Sequence, residues 1–455
     1  MTVVIIAFLP ILWLIIALTM LHWPAHKACC VALAIAAAVA MLVYGLPASL
    51  TAEAALDGVA LSCWPILLVI TAAIYIYNLT LQTKGMETIK QMLTSVSADK
   101  RVIILLIGWG FGGFLEGMAG FGTAVAIPAG MLAGLGISPF MAAGVCLIAN
   151  SVPTSFGSIG IPLVTLASVT GLDGITVAAY TSIQSAPFTI LCPFLMTVVA
   201  GGSLKALKGM FLMCFTAGTG FFLAQYGIAS LMGPELADVA GSIVAMGAIV
   251  ACARFFPPRD PGYRMEIRQQ GEVIDGKRAL VAWLPFILVF FFLLLTSNLV
   301  PAIHDPLAAI KTSVLIYSGE GGVPYTFTWV NTPGVLIFLA AILGCKVQGA
   351  SGGEMLRVFR QTLWGLRFTV VTIITVIATA KVMDHSGMTL ELARTAVAVT
   401  GTMYPGVACF IGSIGSFITG SATSSSVLFG NLQLSSAQAI GLSPEAQAWV
   451  VAANA

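Results

Sequence analysis

Glu116 is the residue of this chain best placed to move a charge. It stands in an apolar run, residues 102–204, whose only other charged side chain is Asp173. A charge at the middle of a bilayer costs about 2.5–3.5 kcal/mol even on the lenient insertion scale. A carboxyl there earns its place if it takes up and releases a proton as cargo passes. The plainer reading is a protonated or hydroxyl-bonded structural carboxyl near a helix end. Two polar clusters suggest where cargo would sit. Asn150, Ser151, Thr154, Ser155 and Ser158 bring five polar side chains into nine residues, and Ser421, Thr423, Ser424, Ser425 and Ser426 form a second group. Hydroxyls and free helix-end amides can hold an anion. Neither stretch contains a deep Lys or Arg, so a carboxylate would be held by dipoles and hydroxyls. The alternative is hydroxyl-mediated helix packing.

Other constellations carry less. Lys381, Asp384 and His385 close an apolar segment and read either as a gate or proton path, or as a solvated helix end. His22 and His26 lie four apart with no acidic or Cys neighbour, and the nine cysteines include no CxxC pair, so neither a metal site nor a cofactor is expected. Gly117, Gly120 and Gly122 follow no strand and lack the Lys of a phosphate loop.

These residues need a membrane scaffold to position them. The 455 residues are 58% hydrophobic and 8% charged, against about 25% charged in soluble chains. That excludes a soluble enzyme and points to a partner that is the lipid bilayer; the net charge of +2 gives no reason to expect nucleic acid. Residues 1–21 are too apolar and too poor in basic residues for a cleaved signal. Apolar segments at 2–21, 28–46, 57–80, 175–200, 209–231, 237–252, 281–300, 332–345 and 368–384 read as spans. Residues 81–101 read as an interfacial helix, 301–331 as a polar loop and 346–367 as a basic loop. Residues 102–162 and 395–444 are uncharged apart from Glu116 but studded with Gly, Pro, Ser and Thr, which interrupt helices. Interrupted helix at membrane depth is tolerated only inside a bundle or beside a water-filled cavity.

The first broken stretch recurs. Gly112-Gly113-Phe114-Leu115-Glu116-Gly117 matches Gly415-Ser416-Phe417-Ile418-Thr419-Gly420, Gly136-Ile137-Ser138-Pro139 matches Gly441-Leu442-Ser443-Pro444, and Ala149-Asn150 matches Ala453-Asn454. Placing the N-terminus outside puts 17 of the 20 Lys and Arg in inside loops, as cytoplasmic segments require. The two copies then enter from opposite faces. The expectation is an all-α polytopic membrane protein of about 11–13 transmembrane segments, with two inverted repeats containing interrupted or re-entrant helices. It would divide into an N-terminal half (1–253) holding the first repeat (102–200), a cytoplasmic loop (254–280) and a C-terminal half (281–455) holding the second (403–455).

The same residues carry a resemblance. Phe114-Leu115-Glu116-Gly117-Met118-Ala119-Gly120-Phe121-Gly122-Thr123, Leu147-Ile148-Ala149-Asn150, Phe156-Gly157-Ser158-Ile159-Gly160-Ile161-Pro162 and Phe417-Ile418-Thr419-Gly420-Ser421-Ala422-Thr423-Ser424-Ser425 resemble the signatures of the bacterial L-lactate permease family. The resemblance covers nearly the whole chain. It implies a secondary active transporter in the bacterial inner membrane that takes up L-lactate, glycolate or another 2-hydroxy monocarboxylate with a proton. Glu116 is then the proton-coupling candidate, and Thr123, Asn150, Ser151, Thr154, Ser155, Ser421, Thr423 and Ser424 are the substrate-binding candidates. Many members of the family carry Asp where this chain has Ala422, and family chains run past the point matching Ala455; the second copy, ending at Asn454-Ala455, is expected to be incomplete. The rival readings are a sodium-coupled carrier for another organic anion and a non-functional fragment of such a carrier. The residues fix no oligomeric state.

Overall fold

The computed structural model describes residues 2–118, 120, 123–265, 275–297, 299–320, 322–419 and 421–455, with the side chains of residues 2–4, 123, 418 and 419 outside the description. In chain order the helices are α1 (Thr2–Ile15, continuing to Met20), α2 (Ala25–Leu42), α3 (Ala48–Gln82), α4 (Gly85–Thr94), α5 (Lys100–Met118), α6 (Thr123–Gly134), α7 (Pro139–Asn150), α8 (Gly157–Thr170), α9 (Gly174–Gly201), α10 (Phe211–Met232) and α11 (Ala237–Phe255). They continue as α12 (Gly276–Leu295), α13 (Pro301–Ala308), α14 (Pro333–Val347), α15 (Gly352–His385), α16 (Met388–Thr400), α17 (Tyr404–Thr419), α18 (Ala422–Ala439) and α19 (Pro444–Ala452). Between α13 and α14, β1 (Lys311–Val314) pairs antiparallel with β2 (Tyr325–Thr328), Val314 opposite Tyr325. The all-α class holds apart from this surface hairpin.

Among the described residues, nine helices are long and apolar enough to cross a membrane, or ten if the pair bent by 61° at residues 151–152 counts as one span. The expected number was higher because three apolar helices, Ile5–Met20, Ala124–Gly134 and Pro333–Val347, fall short of that length. The basic stretch 346–367 is a second correction. It supplies the first half of the 34-residue α15, not a loop. Val358, Thr362 and Leu366 form a buried stripe four residues apart while Arg357, Arg360 and Arg367 face out, so an average over the window hides an amphipathic helix. Ser351 starts it with a capping box, its hydroxyl accepting from the Glu354 N–H while the Glu354 carboxylate accepts from the Ser351 N–H at 2.8 Å. Residues 85–94 do form a helix with one apolar face, burying Met86, Ile89 and Leu93.

Helices from either side of the 256–275 connection are interleaved. The 35-residue α3, kinked where Trp64 leaves helical geometry before Pro65, lies along α15, with Ala378 packed onto Gly58. α2 packs on α15, while α14 packs on the second half of α3; α1 packs on α16, while α12 packs on α4.

Two helical hairpins pack on this frame, the first with residues 101–118 of α5 buried throughout and the second with Phe410, Ile414 and Phe417 of α17 exposed. α6 folds back along α5, bringing Ala124 and Pro128 against Gly112. α18 folds back along α17, where the Ser425 hydroxyl donates to the Gly412 carbonyl at 3.0 Å. The turn after each hairpin is built identically. Gly136 (φ 90°) and Gly441 (φ 74°) adopt the left-handed conformation that glycine supplies without a Cβ clash. The Ile137 and Leu442 N–H groups then donate back to Leu132 and Ala437, both at 3.2 Å. Ser138 and Ser443 cap the next helices, accepting from Met141 and Ala446 at 3.4 Å, and Pro139 and Pro444 take the first helical position.

Candidate functional site

Residues 101–118 of α5 are buried throughout. Glycine lets its neighbour come close. Gly110, Gly113 and Gly117 face Met246, Ser242 and Asp238, spaced every four residues on α11, and a methyl group at Gly117 would lie 3.0 Å from Asp238 Oδ2. This antiparallel seam carries Asp238 to the last turn of α5, beside Glu116. Both acids are buried, at 1% and 5% exposure.

The Glu116 carboxyl points to a break in another helix. A methyl group on Gly157 would press on its Oε1 and lie 3.1 Å from Cδ, and the Asn150 side chain hydrogen-bonds the same carboxyl. Asn150 ends α7. A single 3₁₀ turn, Pro153–Phe156, follows, and then Ser158 (φ 49°), Ile159 (φ 59°) and Gly160 (φ 70°) run left-handed in succession. Left-handed geometry costs roughly 1–2 kcal/mol for each non-glycine residue, and for a branched residue such as Ile159 it is an outlier of the kind that clusters at functional sites. Neighbours hold it in place. Pro234 backbone atoms lie 2.7 Å from where a Gly160 Cβ would be, and Gly120 (φ 53°) abuts Ser158. The ends of α5 and α7, the start of α8 and the turn before α11 thus converge on one buried spot.

That spot is rich in polar atoms without a hydrogen-bond partner among the described residues: Glu116 Oε2, Asn150 Oδ1, both Asp238 carboxylate oxygens and Ser242 Oγ, with Gln225 Oε1 on the neighbouring α10. Buried polar atoms are normally paired, so the region has unused capacity to bind.

The sequence candidates divide between two places. Asn150 and Thr154 join Glu116; the Asn150 amide donates to Thr154 Oγ1 at 3.4 Å, and the Thr154 hydroxyl donates back to the Asn150 carbonyl. Ser155 is half-buried nearby, whereas Ser151 is exposed and donates to the Ile148 carbonyl at 2.8 Å. The Thr123 side chain lies outside the described residues. Ser421, Thr423 and Ser424 are at the other hairpin. Ser421 caps α18, accepting from the Ser424 N–H at 3.2 Å; Ser424 is buried and Thr423 half-buried. α8 and α9 tie the places together. Gly430 of α18 accommodates Leu166, Val169 and Thr170 of α8, and the Thr181 hydroxyl of α9 donates to the Ala452 carbonyl at 3.3 Å.

Lys381, Asp384 and His385 form a network, not a solvated helix end. Lys381 Nζ is 3.0 Å from Asp57 Oδ2 on α3, with side chains 19% and 9% exposed, and His385 Nε2 is 3.7 Å from the same oxygen. Tyr317 stacks on His385, and Asn431 of α18 donates to Asp384 at 2.8 Å. His26 stacks on Phe368, and no group of three potential metal ligands occurs among the described residues. Asp238 and Asp57 escaped the reading of the sequence. The available signal was an acid within an otherwise apolar window, the same signal that marked Glu116.

Known proteins resemble the chain over almost all of its length. The family model described as L-lactate permease matches residues 3–455. An L-lactate permease of Streptococcus iniae is 40% identical over 440 residues, covering 97% of this chain and 92% of the relative. The glycolate permease GlcA of Escherichia coli K12 is 31% identical over 99% of this chain and 85% of its own length. An L-lactate permease of Bacillus subtilis is 30% identical over 96% and 84%.

Proposed function

Because the chain belongs to the L-lactate permease family, we propose that it imports L-lactate, glycolate or a related 2-hydroxy monocarboxylate by secondary active transport, each anion entering with a proton. It is a multi-pass membrane transporter of a bacterial permease family and not an enzyme. We place it in the inner membrane with the N-terminus outside, the orientation that keeps most of its Lys and Arg inside.

The observation that carries the coupling is the Glu116 carboxyl, buried between the end of α5 and the broken start of α8 and bonded by Asn150. A carboxylate substrate brings a negative charge into a site where the described residues place no cation beside Glu116. A proton on Glu116 offsets that charge, so the loaded carrier crosses without the cost of a bare ion in lipid. Asn150 and Thr154 from the first cluster and Ser421, Thr423 and Ser424 from the second supply hydroxyls, amides and helix ends for the carboxylate.

The interleaving supports an inverted pair of halves, 1–253 and 281–455. Each partner relation occurs twice with roles exchanged: α2 on α15 and α14 on α3, α1 on α16 and α12 on α4. Each half then carries one hairpin ending in the same Gly-x-Ser-Pro turn, and the hairpins enter from opposite faces. Rocking of such halves about a central site is the general route to alternating access.

The test uses purified protein in liposomes with labelled L-lactate and glycolate. An acid-outside gradient should drive accumulation by the wild type, and Glu116→Gln should lose accumulation while retaining some lactate–lactate exchange. Unchanged concentrative uptake by Glu116→Gln, or uptake driven only by a sodium gradient, would falsify this reading.

A further inference from the structure

We propose that Asp238 is a second proton-carrying residue, and that Asp238 and Glu116 work as one pair holding a shared proton; the proposal rests on the coupling role of Glu116 given above.

The geometry starts at Gly117. Its missing side chain brings Asp238 Oδ2 and the Val239 N–H to 3.0 and 3.1 Å from the Cβ position. Glu116, the preceding residue, points from the same helical turn toward Gly157. Asp238 is 1% exposed, and neither of its oxygens has a hydrogen-bond partner among the described residues; Glu116 Oε2 is in the same condition. An Asp near a helix N-terminus often serves as a cap; Asp238 lies in the first turn of α11, yet bonds no backbone N–H among the described residues.

Among the described residues, neither acid has a cation as an ion-pair or hydrogen-bond partner. On α5 the basic residues are Lys100 and Arg101, fifteen or more positions from Glu116, and Arg101 is paired with Asp99 at 2.7 Å. On α11 the basic residue is Arg254, sixteen positions from Asp238. α10 offers Cys214 and Tyr226 as titratable groups, and α8 and the 3₁₀ turn before it offer none. Glu235, three residues before Asp238, is a further ionisable neighbour; it lines a cavity of about 210 Å³ with His304, Asn331, Thr296 and Ser297, and α7 adds Cys146. Two adjacent carboxylates without a counter-charge do not both ionise, and they titrate as a pair. One proton on either acid leaves the site with a single negative charge. Proton uptake adds one O–H bond to a carboxylate oxygen, and release returns that proton to water.

The pair also senses the break. Pro234, four residues before Asp238, presses on Gly160, while Gly157 presses on Glu116. A shift of the α8 start on substrate arrival therefore changes the surroundings of both acids together.

The experiment compares wild type, Glu116→Gln, Asp238→Asn and Asp238→Glu in liposomes. It measures lactate exchange without a gradient, accumulation under an acid-outside gradient, and protons moved per lactate. Asp238→Asn should lose accumulation, its concentration ratio falling to about one, while keeping a measurable part of exchange, whereas Asp238→Glu should restore accumulation. Wild-type accumulation and stoichiometry in Asp238→Asn would overturn the pair. If Glu116→Gln also accumulates normally, the coupling reading fails as well; if Glu116→Gln alone loses accumulation, only the pair fails. A second measurement needs no Asp238 variant to fold. Dicyclohexylcarbodiimide reacts with protonated carboxyls in apolar surroundings, and mass spectrometry should find it on Asp238 in wild type and in Glu116→Gln. Absence of label at Asp238 in both would overturn the proposal.

Discussion

Gly157→Ala isolates the contact on which the site depends. The backbone at Gly157 (φ −62°, ψ 156°) is ordinary for alanine, so the substitution tests space alone. The added methyl would lie 3.1 Å from Glu116 Cδ and closer still to Oε1. Carbon atoms rest at about 3.5–4.0 Å, so the carboxyl must retreat by about 0.5–1 Å. Glu116 cannot yield freely, because α11 closes the other side of the same turn at Gly117. The bond from Asn150 is then lost or stretched, at about 1.5–3 kcal/mol if the carboxyl is charged and about 1 kcal/mol if it is neutral. With about 1.4 kcal/mol per factor of ten, proton-driven lactate uptake should fall roughly fivefold to a hundredfold at unchanged membrane expression. Gly130→Ala in α6 is the control, since nothing lies within 4 Å of its Cβ position. Wild-type uptake by Gly157→Ala, or an equal loss in Gly130→Ala, would show that the crowding of Glu116 does not govern transport.

Three further outcomes follow from the geometry. Lys381→Met should destabilise by up to about 3 kcal/mol, the low end for breaking a buried pair, because His385 stays near Asp57; Asp57→Asn combined with Lys381→Met should recover part of the loss in thermal unfolding, and strictly additive losses would deny the coupling. Burial pushes the Glu235 carboxyl, in the turn between α10 and α11, up to about 7. A folded value above the unfolded one gives stability that is complete in acid and disappears as pH rises through about 7, so the wild-type unfolding temperature should drop between pH 5 and 8 and that of Glu235→Gln should not follow. Cysteines placed at Asn150, Thr154, Ser421 and Thr423 should be shielded from a thiol reagent by lactate, and shielding confined to one hairpin would refute a site shared by both.

Much of the local chemistry was legible from residue types. Gly136-Ile137-Ser138-Pro139 and Gly441-Leu442-Ser443-Pro444 spell out a left-handed glycine, a capping serine and a first-turn proline, and the structure builds both turns that way. Glu116 stood out because its flanks are apolar for many residues, and residues 102–162 as a whole because their Gly, Pro, Ser and Thr interrupt helices. Asp238 carries the same signal, an acid in an apolar segment, but its packing against Gly117, 121 residues earlier, is tertiary and not written in the local sequence. The stretch 346–367 misled for a different reason: its charges dominate the average, while the stripe of Val358, Thr362 and Leu366 decides the fold. The expected 11–13 spans exceed the nine or ten long apolar helices because composition alone does not separate the shorter apolar helices Ile5–Met20, Ala124–Gly134 and Pro333–Val347 from full-length ones.

The exchange of partners between early and late helices sets a timetable for biosynthesis. α3 begins at Ala48, but α15, which covers it and supplies Lys381 to Asp57, begins at Gly352. At about 5–20 residues per second, the ribosome takes about 15–60 s to make the roughly 300 residues between them. Throughout that interval Asp57 is without its counter-ion and the α3 face is without its cover, so lipid, the insertion machinery or a chaperone must shelter both. The first half made alone should therefore persist only as long as such shelter lasts, whereas the two halves made as separate chains in one cell have the means to rescue each other.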